Sequence, residues 1–133
     1  FEIDGNNKQI SGVYINAPAA KKSLNGQIKR IEGCYVHDLG YPRDVGGGFG
    51  IKGIKVGATR NYTTENVEII DTRVESTPAT AIGIYDAVTS GQAHEIKNVL
   101  IRGCRITNAG ISPDKKGDAI NFKNKITTVE YIK

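Results

Sequence analysis

Between His37 and Asp44 the chain carries His37, Asp38, Tyr41, Arg43 and Asp44, followed after Val45 by the glycine run Gly46-Gly47-Gly48. Residues of these types can do two kinds of chemistry. Paired carboxylates act as acid and base in glycosidic cleavage, their separation deciding retention or inversion. An Arg or Lys beside a uronate can instead neutralise its carboxyl group or help remove a proton. The glycines let backbone approach a ligand closely. A second polar set stands at Asp114, Lys115, Lys116 and Asp118. The candidates are therefore Asp38, Asp44 and Asp118 for catalysis, and His37, Tyr41, Arg43, Lys115 and Lys116 for substrate binding. Plainer readings exist for each: Asp118 after Gly117 is ordinary turn chemistry, and His37 and Asp38 can decorate a solvated loop. Asp86 reads as a corner residue that satisfies backbone amides, and His94 as a surface-loop residue.

These residues need a scaffold, and a repeated phrase supplies one. In Val99-Leu100-Ile101-Arg102-Gly103-Cys104-Arg105-Ile106, apolar residues alternate with exposed ones, slip phase over Arg102-Gly103, and resume alternation. Two short strands joined at a bend fit this pattern, with Gly103 free to take a positive φ. Val67 to Val74 and Lys29 to Val36 repeat the phrase without a gap, placing Asp71 and Gly33 at the bend. The inward sets of the three copies become Ile31, Cys34, Val36; Ile69, Thr72, Val74; and Ile101, Cys104, Ile106, so that like residues fall into files. Val129-Glu130-Tyr131 begins a further copy, and Phe1 to Gly5 reads as an earlier one.

A second phrase follows each first one: Gly12-Val13-Tyr14-Ile15, Gly53-Ile54-Lys55-Val56, Ala81-Ile82-Gly83-Ile84 and Ala119-Ile120-Asn121-Phe122. Each unit thus supplies about three short strands and no helical periodicity. Units near ~30 residues that cannot close a core alone stack on their neighbours. The expected fold is all-β: a parallel β-helix solenoid of about four coils with three short strands each, forming one domain over residues 1–133. Because the chain opens and stops in mid-phrase, it is expected to be incomplete, uncapped at both ends, and part of a longer helix.

Composition excludes several classes. The 133 residues hold 18 Lys and Arg against 14 Asp and Glu, a net charge of +4, with no basic run longer than a Lys pair. That is too weak and dispersed for a nucleic-acid footprint and only slightly favours a polyanionic partner. No stretch approaches the ~20 apolar residues of a membrane span. Cys34 and Cys104 fall in one inward file two strands apart, roughly 9 to 10 Å by strand spacing, beyond the ~7 Å limit of a disulfide. Both are expected to be free, buried and inert. No cofactor is expected; calcium is compatible with the acidic residues, but no metal motif is present.

The two long loops, 37–53 and 108–118, occupy the same place in their coils and flank a shorter link from Glu75 to Thr80. Long, short, long makes a lateral groove with the candidate residues on its rims.

The phrases Asn98 to Ile106, Ile31 to Asp38 and Gly117-Asp118-Ala119-Ile120-Asn121-Phe122 resemble the repeats of the pectin-lyase-like superfamily. The resemblance implies a right-handed parallel β-helix that handles polysaccharide along a lateral groove, outside the cell or on a virion surface. The superfamily spans polysaccharide lyases, glycoside hydrolases, epimerases, and tail spikes or adhesins. The paired aspartates of its hydrolases, the Asp-Pro-His-Glu run of its epimerases and the tryptophan strand of its lyases are not found here; Asp118 is the nearest single match. Three readings follow: a carbohydrate-active enzyme, a non-catalytic glycan-binding or tail-spike segment that is trimeric in its parent, and a passive spacer.

Overall fold

The computed structural model describes residues 1–6, 12–16, 28–40, 52–57, 63–85, 95–110, 118–123 and 129–132. Tyr41, Arg43, Asp44, Asp86, His94, Asp114, Lys115 and Lys116 lie outside the described residues.

Twelve strands follow one another: β1 (Glu2–Asp4), β2 (Val13–Asn16), β3 (Lys29–Glu32), β4 (Tyr35–His37), β5 (Ile54–Gly57), β6 (Thr63–Ile70), β7 (Arg73–Thr77), β8 (Ile82–Tyr85), β9 (Glu95–Arg102), β10 (Arg105–Ala109), β11 (Ile120–Lys123) and β12 (Val129–Ile132). No helix occurs among the described residues. The strands form three four-stranded sheets, ordered β1-β4-β7-β10, β2-β5-β8-β11 and β3-β6-β9-β12. Every pairing is parallel and joins a strand to the one three later in the chain. The chain therefore visits the three sheets in rotation, four times over.

The register sets like residues in line. Ile31, Ile69 and Ile101 are successive partners in the third sheet. Ile3, Val36, Val74 and Ile106 are partners in the first, and Val13, Ile54, Ile82 and Ile120 in the second. Val36, Val74, Ile69, Ile101, Ile54 and Ile82 are wholly buried, each such side chain contributing about 1.5–3 kcal/mol of transfer free energy. Ile106 and Ile120, on strands with a partner on one side among the described residues, are half-buried.

The bend in the repeated phrase is a left-handed corner. Gly33, Asp71 and Gly103 have φ of 61°, 46° and 63°, a region open to glycine and tolerated by aspartate. The ladder carries on around it: Gly33 N donates to Ile70 O at 3.1 Å and Asp71 N to Arg102 O at 2.9 Å.

Four expectations need correcting. Phe1 to Asp4 repeats the second half of the phrase, since Glu2, Ile3 and Asp4 pair with Tyr35, Val36 and His37. His37 belongs to β4, and Asn108 to β10, rather than to loops. Strand β7 runs on to Thr77, so the short link begins after it. Cys34 and Cys104 are free as expected but only half-buried, for they sit at the corner where side chains meet the rim of the core.

Candidate functional site

The outer face of the first sheet gathers most of the described chemistry. Register sets Glu2, Tyr35, Arg73 and Arg105 in one outward file, and Asp4, His37, Glu75 and Thr107 in the next. Alternation forces this: with Ile3, Val36, Val74 and Ile106 inward, their neighbours on both sides face out.

His37 is the hub. Its Nδ1 lies 2.8 Å from Asp38 Oδ2 and its Nε2 3.0 Å from Glu2 Oε1, with Asp4 Oδ1 3.9 Å from Nδ1. Carboxylates only accept, so a proton on each ring nitrogen satisfies both contacts, and the arrangement favours the imidazolium. Its pKa is raised, chiefly by the bond to Asp38, with Glu2 and Asp4 adding to the effect against the cost of desolvation. Asp38 reaches back to the ring from a left-handed backbone position, φ 51°. That turn also carries the chain inward to Leu39, which is wholly buried.

Tyr35 connects this hub to the next strand. Its ring stacks on His37, with centroids 4.2 Å apart and planes 18° apart. The Arg73 guanidinium lies 4.7 Å from the Tyr35 ring centroid. Glu75 closes the set: Tyr35 Oη donates to its Oε2 at 2.9 Å and Arg73 Nη2 at 2.6 Å. The Glu75 bond raises the Tyr35 pKa, so the phenol stays protonated.

Asp4, His37 and Asp38 each bring one donor atom within 4.8 Å of the others, the one such group of three among the described residues. With a carboxylate on each ring nitrogen, that geometry suits a held proton.

Of the candidates read from the sequence, His37 and Asp38 are brought together. Asp118 is elsewhere. It stands exposed at the entry to β11, in another sheet, with its carbonyl accepting from Ala81 N at 3.0 Å and its carboxylate from Asn121 Nδ2. No family profile, curated protein or solved structure matches this chain. The chemistry must be read from the residues themselves.

Glu2, Asp4, Tyr35, Arg73 and Glu75 escaped sequence reasoning. The signal was there: aligning Phe1 to Asp4 on Cys34 to His37 sets Glu2 beside Tyr35 and Asp4 beside His37.

The strands on either side of residues 41–51 and 111–117 also have a defined relation. Strands β4 and β10, which lead into them, flank β7 in the first sheet, and β5 and β11, which leave them, flank β8 in the second. The link between β7 and β8 is covered, with Thr77, Ala79 and Thr80 all buried, and Gly110 N donates to Ala79 O at 2.8 Å.

Proposed function

We propose that the twelve strands are four coils of a right-handed parallel β-helix of the pectin-lyase-like kind, and that this coil stack binds a polysaccharide outside the cell or on a virion surface. The glycan lies laterally, on the outer face of the first sheet and between the stems of the 37–53 and 108–118 loops. Neighbouring coils of a longer parent chain, assembled as a homotrimer, complete the surface.

The observation that supports this reading is the outward file of Tyr35, Arg73 and Arg105 on adjacent strands. Strands ~4.8 Å apart set the Arg73 and Arg105 guanidiniums side by side; Arg73 also donates to Glu75, so Arg105 is the better placed to match a uronate carboxylate in bidentate fashion. An acidic glycan is therefore the preferred partner at the β7–β10 side of the face, away from the carboxylates around His37.

Binding without cleavage is the reading taken for the described candidates Asp38 and Asp118, Asp44 lying outside the described residues. Two carboxylates that act on one glycosidic bond face each other about 5 to 9.5 Å apart. Asp38 is engaged with the His37 imidazolium, and Asp118 is bonded to Asn121 in a different sheet. The test is a panel of acidic and neutral polysaccharides, measured for binding by calorimetry and for turnover by reducing ends and unsaturated-uronate absorbance. Binding of acidic members without turnover is the expected result. Turnover abolished by Asp38→Asn or Asp118→Asn would establish an enzyme instead, and no binding to any member would leave the spacer reading.

A further inference from the structure

We propose that His37 is a proton-dependent clamp between strands β1 and β4. It rests on no assumption about the ligand. Strand β1 is three residues long and, among the described residues, pairs with β4 alone. Two backbone bonds at its ends are Tyr35 N to Phe1 O and Gly5 N to His37 O, both 2.9 Å. So short a strand needs side chains to hold it. The side chain that crosses is His37, which reaches Glu2 on β1 through Nε2 while Nδ1 is fixed by Asp38.

The groups facing the ring from every packed element are mostly acidic. They are Glu2 and Asp4 on β1, Asp38 at the end of β4, and Glu75, its register partner on β7; Tyr35 stacks on it from β4, and Arg73 on β7 is already engaged by Glu75. With the ring protonated, one cation serves Glu2 and Asp38 together and offsets Asp4. When it loses a proton, one nitrogen becomes an acceptor facing a carboxylate, and Glu2, Asp4 and Asp38 are left without their shared counter-ion. The sign follows. The folded ring titrates above its ordinary 6.5, so the clamp is complete below that value and is lost as pH rises through the folded titration point.

The experiment is amide hydrogen exchange of the whole chain across pH, corrected for intrinsic rates, with the His37 ring followed by NMR. Protection of Gly5 and Tyr35 is expected to fall as His37 deprotonates, about tenfold for each unit by which His37 titrates above its value with β1 open. Ile54 and Ile82, whose amides donate to Ala81 and Ala119 in the second sheet, should keep their protection and report that the fold is intact. Asp38→Asn and Glu2→Gln should each lower the His37 titration point and flatten the dependence. The proposal is overturned if Gly5 and Tyr35 protection does not depend on pH, if His37 titrates at or below its ordinary value, or if the loss spreads equally to Ile54 and Ile82.

Discussion

Asn98 in β9 donates from Nδ2 to Oδ1 of Asn66 in β6 at 3.1 Å, and both residues hold a positive φ, 50° and 55°, inside eight-residue strands. They stand in line between the pairs Glu65 with Lys97 and Val67 with Val99. The kink turns each strand without breaking the sheet. One strand over, Lys29 Nζ donates to Glu65 O at 2.9 Å, beside the kink.

This pairing predicts an inverted order of substitutions at position 98. Asn98→Gly keeps the left-handed backbone and loses one hydrogen bond, about 0.5–1.5 kcal/mol. Asn98→Ala loses the bond and adds a left-handed penalty of about 1–2 kcal/mol. Urea unfolding should therefore rank alanine as the more damaging change, the reverse of the usual preference inside strands.

Glycine 53 predicts a contrast of another kind. A Cβ there would press on Val74 Cγ1 and stand 2.6 Å from Ala81 O, whereas one at Gly33 would meet nothing within 4 Å. Gly53→Ala should cost about 1–3 kcal/mol through overpacking, while Gly33→Ala should cost only the backbone strain of φ +61°, about 1–2 kcal/mol. A second-site Val74→Ala, which removes the blocking methyl, should partly rescue the first and not the second.

In the third sheet, Ile69 is wholly buried between its partners Ile31 and Ile101. Ile69→Ala should lower stability by about 2–5 kcal/mol as a cavity opens. Ile106→Ala, at a half-buried position, should cost distinctly less by the same denaturant measurement.

The thiols make a fourth case. Burial pushes the Cys104 pKa up, with the Asp71 charge adding to it. Less thiolate at neutral pH means slower alkylation. Iodoacetamide should modify Cys104 more slowly than a cysteine in an unstructured peptide, and unfolding the chain in urea should abolish the difference. Mass analysis without reductant should find no link between Cys34 and Cys104.

Much of the scaffold was legible because the repeated phrases align without gaps. Ile31, Ile69 and Ile101, the second-phrase file from Val13 to Ile120, and the left-handed corner at Gly33, Asp71 and Gly103 all follow from that alignment. Phe1 to Asp4 was misplaced by half a phrase, because one apolar alternation fits either half of the unit. That slip moved Glu2 and Asp4 away from Tyr35 and His37, and so hid the charged hub. The kinks at Asn66 and Asn98 were hidden for a different reason: asparagine is ordinary on a strand's outer face, and its tolerance of positive φ leaves no mark on hydrophobic spacing. Which outward side chains converge depends on register between strands far apart in the chain, which hydrophobic spacing alone does not carry.

The most direct test of the central claim is an NMR titration of the chain with oligogalacturonate at low salt, paired with an Arg73→Ala, Arg105→Ala double variant. Shifts should concentrate on the amides of Tyr35, Arg73, Glu75 and Arg105, and the double variant should bind at least about tenfold more weakly, one charge-assisted contact being about 1.5–3 kcal/mol. Shifts confined to the second and third sheets, or equal affinity in the variant, would contradict the claim that the outer face of the first sheet holds the glycan.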